Sequence, residues 1–359
     1  MEEIMERFKE GVIIGKFMPI HAGHQHLIDT GKASVERLTV LVCSHFWEPI
    51  PGELRYEWVK ELNPHVNVVW VSEELPSEPE QDPDFWNIWR RAILKYAPPP
   101  DVIFSSEDYG NKLAKVLGCV HICVDPEREK YHISGEKVRS DPYKWWGFIP
   151  PPVKAYYAKR VCIVGPESTG KTTLAAALAK RLNTAWVPEF AVEYLKNGNG
   201  DLKSLVDIEN IAGGQIESED AAARLANRVL VCDTDLMTTA IWSDHYFGSC
   251  PEWIVKESFA RKYDLYLLTD IDIPWVGSLW RDCPDKREHF GELFKRELEL
   301  RNRKYVIISG NTPEIRIDAA MKEIKSMFPG TIDWLVGENG HVLNESPRMT
   351  KDSSSSGAR

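Results

Sequence analysis

From Val12 to Met327 the chain alternates short apolar runs with stretches whose apolar residues recur at helical spacing. In the first half this pattern predicts strands over Val12–Phe17, Leu38–Cys43, Val66–Val71, Val102–Ser105 and Val120–Val124. Between them it predicts helices over Gly23–Ser34, Glu53–Leu62, Phe85–Tyr96 and Tyr109–Leu117. The acidic, Pro-rich stretch from Glu73 to Asp84 reads as a surface loop. Pro150, Pro151 and Pro152 then interrupt the alternation, and three prolines favour extended geometry over a helix or a central strand. The alternation restarts with strands over Val161–Val164, Trp186–Pro188, Val229–Cys232, Leu265–Leu268 and Val306–Ile308. Its helices fall over Thr172–Leu182, Leu202–Ala226, Leu236–Tyr246, Arg287–Arg301 and Thr312–Met327. Strand–helix alternation of this kind implies parallel sheets wound with helices on both faces. The fold class is therefore α/β, with two doubly wound parallel-sheet domains. They are expected over residues 1–149 and 160–329, with a linker over 150–159 and a disordered, Ser-rich tail over 330–359.

The length of 359 residues agrees with two domains, since a single core usually stops growing below that size. A net charge of −10 argues against broad nucleic-acid binding, which needs a basic face, but leaves small anionic ligands open. The sequence has no apolar N-terminal leader and no apolar run of the ~20 residues a membrane span needs. Seven scattered cysteines suit a reducing compartment, and a cytoplasmic location is expected. Cys119, His121 and Cys123 alternate with β-branched residues and read as a buried strand rather than a metal cluster. The oligomeric state is left open, a homo-oligomer included.

Two stretches carry chemistry. Gly165-Pro166-Glu167-Ser168-Thr169-Gly170-Lys171-Thr172-Thr173 follows an apolar run and opens a helical segment, which is the full context of a P-loop. Such a loop turns its backbone N–H groups onto a phosphate at a helix N-terminus. Lys171 can then reach the β/γ-phosphates of ATP, and Thr172 can offer its hydroxyl to Mg²⁺. The second stretch is Gly15-Lys16-Phe17-Met18-Pro19-Ile20-His21-Ala22-Gly23-His24, between the first strand and the first helix. His21 and His24, three apart, fall on one face of the starting helix and converge with its N-terminus on an anion-sized space. Two imidazole donors there can stabilise charge on a transferring phosphoryl group, and Gly23 leaves room for a nucleotide beside the backbone. His26 is expected to face away.

The His21–His24 stretch resembles the HxGH nucleotidylyltransferase superfamily. The superfamily's second signature is matched by Ile133-Ser134-Gly135-Glu136-Lys137-Val138-Arg139. The resemblance implies Ser134 near a second helix N-terminus and Arg139 on the phosphates that leave as pyrophosphate. With a P-loop kinase following, the order is similar to the bifunctional NadR family over about Gly11 to Met327. The stretches Phe104–Gly110, Ile133–Arg139 with Asp141-Pro142, Trp145–Pro150 and Gly165–Lys171 carry that likeness. Some members bear an N-terminal helix-turn-helix repressor domain. Only ten residues precede Gly11, so a DNA-binding role is not expected.

What the resemblance implies is ATP-dependent phosphorylation of nicotinamide riboside by the second domain. Adenylylation of nicotinamide mononucleotide to NAD, with release of pyrophosphate, would then fall to the first domain. Ligands of open α/β sheets bind beyond the carboxyl ends of strands. Glu189 is therefore the first candidate for general base, with Asp233 as the alternative base or Mg²⁺ ligand. Asp235 is a candidate for a ribose hydroxyl, and Arg281 and Arg287 for a lid over the phosphate. Trp86 and Trp89 in the first domain, and Trp275 and Trp280 in the second, are candidates to stack on the cationic nicotinamide ring. Two alternatives stay open on motifs alone: another riboside kinase fused to a different nucleotidylyltransferase, or a nucleotide-sensing regulator.

Overall fold

The computed structural model describes residues 7–197, 202–277 and 283–332. The predicted tail from 333 onward, and Trp280 and Arg281, lie outside the described residues. The chain divides into two compact units between Val153 and Lys154.

In order, the first unit contains β1 (Phe8–Gly15), α1 (Ala22–Ser34), β2 (Val35–Cys43), α2 (Gly52–Leu62) and β3 (Asn67–Val71). It continues with α3 (Phe85–Tyr96), β4 (Val102–Ser105), α4 (Tyr109–Leu117), β5 (Val120–Cys123) and α5 (Gly135–Ser140). The five strands are parallel in the order β3-β2-β1-β4-β5. The order reverses between β1 and β4, and at such a switch point helices leave to opposite faces and open a crevice at the carboxyl edge. The apolar positions that predicted these strands and helices form the core: Val12, Leu41, Val71, Ile93, Ile103 and Leu113 pack together.

Helix α6 (Pro151–Tyr157) spans the division. Expected extended geometry is thus overturned at Pro151 and Pro152, which occupy the first turn of a helix, where the N–H that proline lacks would have no intrahelical acceptor. The second unit then runs β6 (Lys159–Val164), α7 (Lys171–Arg181), β7 (Trp186–Val187), α8 (Phe190–Asn197), α9 (Leu205–Leu225) and β8 (Val229–Asp233). It ends with α10 (Leu236–Phe247), α11 (Glu252–Ala260), β9 (Leu265–Thr269), α12 (Arg287–Leu300), β10 (Tyr305–Ile308) and α13 (Pro313–Met327). Its strands are parallel in the order β10-β9-β6-β8-β7. Strands β8 and β9 are buried along their whole length, as unbroken apolar runs in a doubly covered sheet require.

Helices α8 and α11 were not foreseen, whereas α5 begins after Ser134, where the resemblance implied a helix N-terminus. The stretch after β3 differs from expectation more usefully. It holds a 3₁₀ turn at Pro79–Gln81, and Glu73, Leu75, Ser77, Glu78 and Pro79 line a cavity instead of lying only on the surface.

Candidate functional site

The first unit encloses a cavity of about 720 Å³ at the carboxyl ends of its strands. The turn from Gly15 to His24 lies at its floor. Phe17 is buried with φ of 45°, a left-handed conformation unusual for an aromatic residue, and its ring lies 5.0 Å from that of His24. His21 is the N-cap of α1, its Nδ1 accepting from the His24 N–H at 3.4 Å. The two imidazoles stack at 3.8 Å between centroids, so the predicted convergence of His21 and His24 is observed. A Cβ on Gly23 would lie 3.2 Å from the His21 ring, so glycine here serves the packing of that ring. His26 also lines the cavity, in contrast to the expectation that it faces away, because the lining continues down α1 toward Tyr131.

Burial, then neighbouring His24 and Arg128, push the His21 imidazole far below its ordinary value. Burial followed by Arg128 takes His24 down to about 4. Both rings are therefore neutral at neutral pH and act as polar donors and acceptors, not as cations. The unfolded chain protonates His24 near pH 6.5 and the folded chain only near 4. Stability conferred by the neutral ring is thus complete above the unfolded value and is lost as pH falls through that window. Protection of the α1 amides against hydrogen exchange, taken relative to the intrinsic exchange rate at each pH, is expected to be lower at about pH 5 than at about pH 7, and His24→Asn to shrink that difference.

Ser134 caps α5, accepting from Lys137 N–H at 3.2 Å, and Arg139 donates to the Met18 carbonyl. The second signature thereby meets the first, and both residues line the cavity. Trp86 and Trp89 line it from α3, with Phe85 edge-on to Trp86. Sequence reading missed a buried set that adjoins Lys16. Arg55 is wholly buried and donates to the Lys16 carbonyl and to Glu48, each at 2.6 Å, while Lys16 Nζ lies 3.0 Å from Glu48. Nothing in residue spacing distinguishes a buried Arg on a helix from an exposed one; burial comes from the packing of α2 on β2.

In the second unit the loop after β6 takes the backbone shape its sequence predicts. Gly165 has φ of 140°, Ser168 57° and Gly170 80°, and a Cβ on Gly165 would fall 2.5 Å from Thr269 Oγ1. Lys171 Nζ donates to the carbonyls of Gly165 and Pro166, both at 2.9 Å. Thr169 Oγ1 bonds Thr269 and Pro166, and Ser168 Oγ accepts from Val276 N–H at 2.7 Å. These hydroxyls are thus spent on shaping the loop. The candidates Glu167, Ser168 and Thr169 would act on phosphate through the main chain. Thr173 is exposed on the first turn of α7.

Thr172 Oγ1 donates to Asp233 Oδ2 at 2.6 Å. Asp233 is fully buried, its other oxygen has no protein hydrogen-bond partner, and burial raises its pKa against the pull of Thr172 and Lys171. A hydroxyl and a carboxylate so placed are hard oxygen donors of the kind Mg²⁺ prefers. Glu189, Thr172 and Asp233 line a common cavity of about 410 Å³ with Val192 and Lys196. Asp235, expected on a ribose, is instead buried. It caps α10 through Thr238 N–H and accepts from Tyr266 OH at 2.8 Å, so both of its oxygens are engaged by the scaffold. Arg287 donates to the carbonyls of Ile273 and Ser168, at 2.9 and 3.3 Å, so in this structure it braces the loop rather than standing over it. Trp275 is half-buried and is not among the residues lining this cavity.

Arg316 was also missed. It is 4% exposed and donates to the carbonyls of Thr169, Gly310 and Asp270 and to Asp272, tying three loops at the carboxyl edge. Arg316→Met is expected to cost on the order of 3 kcal/mol by stranding buried carbonyls, and to raise the KM for ATP. Denaturant unfolding and phosphotransfer kinetics check both effects.

No helix among the described residues is long and apolar enough to cross a membrane. The model of an AAA domain matches residues 160–315. The chain is 28% identical over 342 residues to the trifunctional NAD biosynthesis/regulator protein NadR of Escherichia coli K12, covering 89% of this chain and 83% of that protein. The Salmonella typhimurium protein of the same name is 27% identical with the same coverage. In fold it is similar to a crystal structure of NadR protein in complex with NR, at a TM-score of 0.73 and 21% identity, over 89% of this chain and 96% of that one. A structure of NadR protein with NAD and AMP-PNP matches at 0.71. Taken with the paired histidine and P-loop sites, these likenesses make the chain an enzyme similar to the NadR proteins of NAD biosynthesis over most of its length.

Proposed function

We propose that the second unit phosphorylates the 5′-hydroxyl of nicotinamide riboside with ATP, and that the first unit joins the resulting nicotinamide mononucleotide to a second ATP, giving NAD and pyrophosphate. The observation that carries this reading is the meeting of His21, His24, Ser134 and Arg139 on one cavity in a chain that also holds an intact P-loop.

Both reactions are in-line displacements at phosphorus, so positioning and charge stabilisation do most of the work. In the second unit the P-loop N–H groups and Lys171 hold the β- and γ-phosphates. Mg²⁺, when bound, neutralises charge on those phosphates. Thr172 and Asp233 are the residues suited to hold it, which leaves the partly exposed Glu189 to take the proton of the riboside hydroxyl. In the first unit the mononucleotide 5′-phosphate attacks the α-phosphorus of ATP. His21 and His24 donate to the charge that builds there, and Arg139 with the α5 N-terminus holds the departing pyrophosphate. Trp86 and Trp89 offer faces to the cationic nicotinamide ring.

Purified protein incubated with nicotinamide riboside, ATP and Mg²⁺ should yield the mononucleotide and then NAD. Failure to convert either pyridine compound would overturn the reading.

A further inference from the structure

The loop between β3 and α3 forms a wall of the 720 Å³ cavity, and its ties to the rest of the unit are specific. Trp89 Nε1 donates to the Pro76 carbonyl at 3.0 Å, and Tyr96 OH to Glu73 at 2.8 Å, which fixes the loop to α3. His45, in the loop after β2, fixes it to a second element. Its Nδ1 lies 2.7 Å from Glu74 Oε2 and its Nε2 2.9 Å from Ser77 Oγ. His45 is itself held. Its backbone N–H donates to Glu48, the carboxylate that Arg55 grips, and the Trp47 ring stacks on it at 4.4 Å.

Carboxylate, imidazole and hydroxyl in this order are also the parts of a serine nucleophile. A hydrolytic role does not fit here. The N–H groups of Ser77 and Glu78, which would flank an oxyanion, are both given to Gln81 Oε1, at 2.6 and 3.3 Å. The contacts therefore make a clasp between two loops.

We infer that His45 is a positioning residue for the acceptor nucleotide: by joining the loops after β2 and β3 it holds the cavity wall that adjoins Trp86 and Trp89. The inference rests on the adenylyl-transfer reading of this unit. The clasp belongs to the β2–β3 half of the sheet, whereas Ser134 and Arg139, assigned to the ATP phosphates, follow β5. Loosening it should therefore cost the mononucleotide and spare ATP, because a preformed slot binds without paying to order its walls.

Steady-state kinetics of the full chain test this. His45→Ala is expected to raise the KM for nicotinamide mononucleotide about tenfold, with kcat and the KM for ATP changed by less than about twofold. His45→Gln, whose amide supplies a donor and an acceptor, should recover much of the loss, and Ser77→Ala should give a smaller rise of the same kind. A fall in kcat at unchanged KM, an equal rise for both substrates, or abolition of turnover by Ser77→Ala would overturn the clasp. Should the alanine variant not fold, Glu74→Gln is expected to raise the same KM about threefold, and an unchanged KM there overturns the proposal equally. Wild-type turnover with an unaffected His45→Ala variant sinks the clasp alone. Absence of wild-type turnover sinks the adenylyl-transfer reading and the clasp with it.

Discussion

His24→Ala is expected to lower the conversion of nicotinamide mononucleotide to NAD by about 10²- to 10³-fold while leaving riboside phosphorylation at its wild-type rate. The magnitude is that of removing one preorganised donor from a transferring or developing charge, about 3–4 kcal/mol. His24 suits that task because its ring is held on both sides, by His21 at 3.8 Å and by Phe17 at 5.0 Å, and so needs no reorganisation when substrate arrives. A half-buried, neutral ring has also avoided the cost of a poorly solvated cation, yet still offers an N–H to phosphate. Separate assays of the two half-reactions check the result. Loss of both activities in a folded variant would show that the two reactions do not occupy separate sites.

The mirror experiment is Lys171→Ala, for which phosphorylation of the riboside should fall by a comparable or larger factor and NAD formation from supplied mononucleotide should persist. Lys171 Nζ rests on two loop carbonyls at 2.9 Å, so the residue is already folded back over the phosphate cradle. Removing it takes away the mobile positive charge but leaves the loop shape, which Gly165, Thr169, Thr269 and Arg316 maintain through other contacts. The variant should therefore unfold near the wild-type temperature, and a large drop would assign Lys171 to the scaffold instead. Lys171→Arg is a harsher test than its charge suggests, because a planar guanidinium does not replace a compact ammonium in a tight loop.

Much of this protein was legible along the chain. The ten strands among the described residues follow from apolar runs, and α3 and α4 begin and end where the periodicity placed them. The paired histidines and the P-loop were legible because their function lies in a local strand–turn–helix path, so that neighbours in sequence are neighbours in space. Glu189 and Asp233 were legible as strand-end carboxylates, and the structure brings them to one cavity. Asp235 shows the limit of that reasoning. It lies two residues beyond Asp233, but the chain has by then entered α10, and its carboxylate caps that helix and meets Tyr266.

Sequence alone thus determined the two-sheet architecture and the phosphate-binding segments, because both are written in short-range periodicity and turn chemistry. Tertiary structure decided which polar side chains serve the sites and which serve the scaffold. Arg55 and Arg316 sit on helices with no local signal, yet each is buried against loops from distant strands and saturates their carbonyls. His45, Glu74 and Ser77 come together because β2 and β3 lie side by side, which brings the loops at their carboxyl ends within reach of each other. The cost of leaving a buried polar group unpaired depends on its surroundings in three dimensions, and those surroundings exist only once the sheets have formed.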